Sequence, residues 1–274
     1  MIFHLRIFCA QLSRAQWGGI GMLCLLFMFV LFEKLLIQGS TSAQNLNLVF
    51  SAPVEGMPLG TDHLGRSNSA RLADAILNSL MMAGLCVTTA VVTGLLTGVW
   101  AGWKGGWADR VLSVWVNIVM ALPGLVIVLL FGAIFPGSFV LLFIAISITM
   151  WADFFRVIRS RTMIAVRSDA FESSRLFGFG PWYLFRRHIW PVMKNDVYTL
   201  SCFGAGNAVL ALAALGFLYV GLKPPRAELG MMMVELFRYY HQAFWVLIQP
   251  IVVVSMIILS CHLLSQGKNS EELV

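Results

Sequence analysis

Between Ser168 and Asn195 the chain reads SDAFESSRLFGFGPWYLFRRHIWPVMKN, the longest polar and strongly basic interruption in an otherwise apolar sequence. At about 100° per residue, Asp169, Glu172 and Arg175 fall on one side of a helix, and Ala170, Ser173, Ser174 and Phe177 on the other. Asp169 as N-cap with Glu172 three residues on has the form of a capping box, and Gly178 with the Gly180-Pro181 turn ends the helix. Beyond the turn, Arg186, Arg187 and His188 lie close to Pro191, and a new apolar segment opens near Val197. A short amphipathic helix held just outside a membrane is a surface for another protein to grip. The alternative is an interfacial helix that merely joins two spans, its arginines drawn to anionic lipid headgroups.

The rest of the composition places that helix beside a bilayer. Of 274 residues, 59% are hydrophobic and 12% charged, against about a quarter charged in soluble domains. The net charge of +6 sits between apolar runs, as the positive-inside rule requires, and no basic-aromatic strip for nucleic acid lies outside them. Cys9, Cys24, Cys86, Cys202 and Cys261 are scattered without a CxxC pair, so neither a disulfide framework nor a zinc site is indicated. No GxxxxGK[ST] phosphate loop, HExxH or GxSxG occurs, so the chain is expected to bind no ATP, to hold no catalytic group or metal, and to draw its energy from another subunit.

Six spans are expected, in an all-α polytopic architecture. Arg6 and Arg14 precede an apolar run from Trp17 to about Ile37, read as an uncleaved anchor leaving the cytoplasm. A polar segment follows to about Asp74. Then come spans over about 76–100, 111–135 with Pro123-Gly124 in the middle, and 138–155 after the Pro136-Gly137 turn. The last two cover about 197–220 and 244–264. Gly84, Gly94 and Gly98 mark a close-packing face in the second span, and the Gly and Ala residues from Gly204 to Gly216 mark another in the fifth. Asp153 is placed at the inner end of its span, neutralised by Arg156, Arg159 and Arg161. Met231 to Met233 read as packing, since three adjacent methionines cannot face one ion on a helix. The domain division is an anchor and outer segment over 1–75, a transmembrane unit over 76–265 with a cytoplasmic loop over 156–195, and a short tail over 266–274. Both termini are expected in the cytoplasm.

Four ordered motifs from about Gly60 to Leu264 resemble the permeases of bacterial ABC importers, the MetI-like fold. Glu172-Ser-Ser-Arg-Leu-Phe-Gly178 with Arg187-His-Ile-Trp-Pro191 is similar to their EAA loop, whose coupling helix docks into an ATPase. The resemblance gives Glu172, Ser173, Ser174, Gly178, His188 and Pro191 that docking role, with serines in place of the two alanines. Gly60-Thr61-Asp62-His63-Leu64-Gly65-Arg66 is similar to the GTDxLGRD motif of the dipeptide, oligopeptide and nickel branch. Ser67 replaces its last Asp, Leu77 stands where the branch often has Arg, and His63 occupies a variable position, which argues against a metal role. The loop Gly102 to Arg110 is similar to the Gly-Gly-Trp-x-Asp-Arg turn. Gly221 to Gly230 resembles GxQPPxPxWG and keeps Pro224, Pro225 and Gly230, with Glu228 at a variable position counted in the same outer-loop site; Lys223, Ala227 and Leu229 depart from it, and Leu212 replaces a usual Glu whose loss is expected to alter the pathway.

The resemblance implies the second permease of such an importer in the inner membrane. It would pair as a heterodimer with a homologous permease to line a path for peptides, nickel or a metal chelate. Two ATPase subunits would hold ATP and Mg, and a periplasmic binding protein would deliver cargo. A non-transporting membrane scaffold or sensor component that keeps the same loop is the alternative.

Overall fold

The computed structural model describes residues 13–134, 137–221 and 226–266. Among these, nine helical segments form one membrane bundle. They are α1 Arg14–Phe32, α2 Asn68–Lys104, α3 Gly106–Ala121, α4 Gly124–Ile134, α5 Phe139–Val166, α6 Asp169–Leu176, α7 Pro181–Phe217, α8 Leu229–Phe237 and α9 Phe244–Ser265. Five are long and apolar enough to cross a bilayer, with α1 extended through a π-turn to Ile37; α3 and α4, sharply bent against each other, together have the length and apolarity of a sixth. Of the expected turn Pro136-Gly137, Pro136 lies outside the described residues, as do Pro224, Pro225, Cys9 and the tail beyond Gln266.

The expected third span is not a kinked rod. Pro123 offers no backbone N–H and pushes Leu122 into extended geometry, φ −93° and ψ 136°. The chain therefore leaves α3 and enters α4 at 79°.

Two helices are longer than their apolar windows. α2 has 37 residues, about 55 Å at 1.5 Å per residue, and overshoots a hydrocarbon core of about 30 Å. Ser67, the residue that departs from the GTDxLGRD pattern, caps its start by accepting from the Ala70 N–H. α5 continues to Val166 rather than stopping near residue 155, because its arginines find acids on neighbouring helices. Arg159 makes a two-point pair with Asp109, and Arg161 holds Asp196 at 2.8 Å. Both arginines are thereby turned away from Asp153, which sits midway along α5 rather than at its end and has no ion-pair partner among the described residues.

α2 and α5 share the longest seam of the bundle. Gly94 and Gly98 form it: a Cβ on Gly94 would lie 2.5 Å from Phe154 Cβ, and one on Gly98 3.0 Å from Ile158 Cβ. Gly84 points into open space and takes no part. Gly94→Val should lower stability by about 1–3 kcal/mol, the usual cost of overpacking, which exceeds the few tenths gained from a better helix former. Thermal unfolding in detergent measures it, with Gly84→Val as the control that leaves the midpoint unchanged. α1 is an outrider. It begins with a capping box between Ser13 and Gln16, touches α9 at Gly19 and leaves Leu25, Phe27 and Met28 facing outward.

Candidate coupling helix and the clamp at the opposite end

α6 stands at the basic end of the bundle. Its N-cap is Ser168, whose hydroxyl oxygen accepts from the Phe171 N–H, so the expected box built on Asp169 and Glu172 does not form; Asp169 is the first helical residue. Asp169 and Glu172 remain in the first turn and Arg175 in the last, which suits the helix dipole. Gly178 ends the helix at φ +79°, a left-handed conformation that any Cβ would strain.

The buried side of α6 differs from the expected one. Phe171 is the anchor: it is 1% exposed and meets Trp103 of α2 and His188 of α7 edge-on, with ring centroids 5.7 and 6.0 Å away. One turn on, Ser174 Oγ lies 2.9 Å from His188 Nε2. Ser173 and Phe177, grouped with Ser174 by the helical projection, are exposed together with Glu172 and Leu176. The two serines therefore do different things, one tying the helix down and the other facing out.

His188 is itself held by an irregularity. Residues Phe185–Ile189 form a π-turn, and the Trp190 N–H reaches back to the Phe185 carbonyl. The wider turn accommodates Pro191, which lacks an N–H, without breaking α7. Leu184 and Ile189 bury the elbow, while Arg186, Arg187, Trp182 and Pro191 stay exposed.

At the opposite end the Gly60–Arg66 turn is more than a turn. The Asp62 carboxylate accepts the N–H groups of Leu64 and Arg66 at 2.9 Å and the Arg66 Nε at 2.7 Å, and it also binds Arg71. Both arginines reach on to Glu235 of α8, at 3.1 and 2.7 Å. Burial disfavours the Asp62 charge, but Arg71 and the two N–H groups outweigh it and hold the carboxyl below its ordinary value. Thr61 is fully buried and bridges Ser51 and Leu48, while Gly65, at φ +68°, lies so close to Asn45 that no side chain fits. His63 stacks on Tyr239, ring centroids 5.4 Å apart. Glu235 carries no motif and stands 164 residues from Arg71, so nothing local in the sequence marks it.

Of the expected outer loop, Glu228 and Gly230 are described. Glu228 is the N-cap of α8, its carboxylate accepting from Gly230 and Met231 at 2.9 Å each. Gly230 lies against the backbone of Ala213, where a Cβ would come within 2.0 Å of the carbonyl oxygen. Burial pushes the Glu228 carboxyl up to about 7, the two N–H groups only partly opposing it. A raised carboxyl binds its proton more tightly in the folded state. Its contribution is therefore complete below the ordinary value of 4.5 and lost as pH rises through about 7. Glu228→Gln should flatten the fall in thermal midpoint between pH 5 and pH 7, measured against wild type in detergent. Leu212, where the loss of an acid was expected to alter the pathway, is fully buried in the core.

A helical bundle of five spans and one sharply bent helix pair, clamped by ion pairs at one end and carrying a short anchored helix at the other, defines a polytopic membrane protein. The family described as "Binding-protein-dependent transport system inner membrane component" matches residues 94–266. The dipeptide transport system permease protein DppC of Escherichia coli K12 is 35% identical over 209 residues, which are 76% of this chain and 70% of that one. The metal-staphylopine import system permease protein CntC of Staphylococcus aureus NCTC 8325 is 34% identical over 76% of this chain and 72% of its own. A di/tripeptide permease of Pseudomonas aeruginosa UCBPP-PA14 is 28% identical over 93% of this chain and 86% of its own. The chain belongs to the binding-protein-dependent permeases of ABC importers, in the branch that contains the peptide and metal-staphylopine permeases.

Proposed function

We propose that this permease pairs with a homologous second permease, that the two line one path, and that α6 seats in a groove of an ATPase subunit. One observation carries the reading: α6 is tied to the bundle by Phe171 and Ser174 on one side, while Glu172, Ser173, Leu176 and Phe177 project from the other. A helix anchored on its inner face and bare on its outer face transmits a push to the spans it rests on. ATP and Mg are bound by the two ATPase subunits, whose closure rocks the spans from inward-facing to outward-facing. The basic end with α6 and both termini then lie in the cytoplasm. The Asp62–Arg66–Arg71–Glu235 clamp lies on the periplasmic side, where a binding protein delivers cargo. The peptide and metal-staphylopine permeases among its relatives support a small peptide or a metal chelate as the cargo class.

Glu172→Arg reverses the charge at an exposed position whose side chain makes no hydrogen bond or ion pair among the described residues. It should lower uptake per ATP hydrolysed by at least about tenfold, since a wrong-sign charge across an interface costs kcal/mol, while the thermal midpoint of the isolated chain stays put. Transport by the reconstituted variant at the wild-type ratio would remove the coupling role from Glu172.

A further inference from the structure

A groove of about 800 Å³ runs along the face made by α4, α5 and α7, within the range of small-molecule sites, about 300–1,000 Å³. Most of its wall is Leu, Ile, Val, Phe, Met and Ala. Its charged residues are Asp153 and Arg156 of α5, and Asn207 of α7 adds an amide on the facing wall. Asp153 and Arg156 are three residues apart on one helical face, which sets their Cβ atoms about 5–6 Å apart. They feel each other's charge, yet no ion pair closes between them. The neighbouring cations are already committed, Arg159 to Asp109 and Arg161 to Asp196. The hydroxyl of Thr149, also in the groove, is spent on the Ile146 carbonyl at 2.8 Å, whereas the Asn207 amide has no partner inside the chain among the described residues. An acid and a base on one face of α5, both open to one groove and not neutralising each other, call for water or complementary charge in that groove.

We propose that Asp153 and Arg156 form a subsite for a small zwitterion in the transport path, with a terminal ammonium on Asp153 and a carboxylate on Arg156. Asn207 holds the amide between them. A dipeptide fits this spacing, since two extended residues reach at most about 7 Å. The proposal rests on the importer reading above and specifies its cargo chemistry.

The test uses the reconstituted complex of both permeases, ATPases and binding protein in proteoliposomes, with labelled dialanine as probe. Asp153→Asn should lower dialanine uptake at saturating loaded binding protein by at least tenfold, Arg156→Gln by a similar factor, and Asp153→Glu should restore it to within about twofold of wild type. Uptake by Asp153→Asn equal to wild type would overturn the proposal. So would failure of that variant to copurify with the second permease, which would make Asp153 an interface ion pair instead. Import of a nickel amino-carboxylate chelate with dialanine excluded would also overturn it while leaving the importer reading intact; absence of any complex with an ATPase would sink that reading itself.

Discussion

Asp62→Ala is expected to destabilise the protein by about 3–5 kcal/mol, the cost of removing one member of a buried ion pair and stranding its partners. Asp62 is fully buried and Arg71 nearly so, and each arginine spans the gap between Asp62 and Glu235. Without Asp62 two guanidinium groups share one carboxylate, and the N–H groups of Leu64 and Arg66 lose their acceptor. Asp62→Asn keeps an oxygen for those N–H groups and should cost less. Because all four side chains belong to one network, Asp62→Ala combined with Glu235→Gln should be less damaging than the sum of the two. Thermal midpoints in detergent, together with protease cleavage between residues 38 and 67, measure this. The clamp ties the start of α2 to α8, so cleavage in that segment should rise before the spans unfold.

Phe171→Ala is the second large effect. Emptying a fully buried phenylalanine site costs about 3–5 kcal/mol. Here the loss falls on the docking of α6 against Trp103 and His188 rather than on the spans. The variant keeps Glu172 and Ser173 in the sequence but no longer holds them in place. ATP hydrolysis by the reconstituted complex should stop responding to loaded binding protein, although the isolated chain still purifies as a folded protein. Phe177→Ala separates the two sides of the helix: Phe177 is 82% exposed, so its loss should leave stability within about 0.5 kcal/mol and weaken only the grip of a partner. Equal effects of the two substitutions on stability would contradict the inner and outer faces assigned to α6.

What could be read from the residues follows from what is local. Apolar runs mark the spans, and Gly178 and Pro181 mark where α6 ends and α7 begins. Its N-cap was one residue off because Ser168 and Asp169 are both good caps, and only backbone geometry decides between them. A projection by polarity also passed over Phe171, which sits between Ala170 and Glu172 yet meets Trp103 of α2. An apolar window says nothing of where the helix itself ends at α5, whose charged continuation past residue 155 is held by Asp109 and Asp196 on other helices. Pro123 signalled a disturbance, and only the packing of α4 turned it into a 79° break. Glu235 and Asn207 depend on chain crossings that no motif announces. Apart from the cap of α6, each miss is a long-range partner overriding a local pattern.

The most direct test of α6 as the coupling helix is cross-linking from the two adjacent serines. In the assembled complex, Ser173→Cys should form an efficient cross-link to a cysteine placed in the ATPase groove. Ser174→Cys, turned inward toward His188, should form at most a trace, with the unsubstituted chain as the background for its native cysteines. Strong cross-linking at 173 alone is what an outward-facing docking surface on an anchored helix predicts. No adduct at either position, or equal adducts at both, would contradict it.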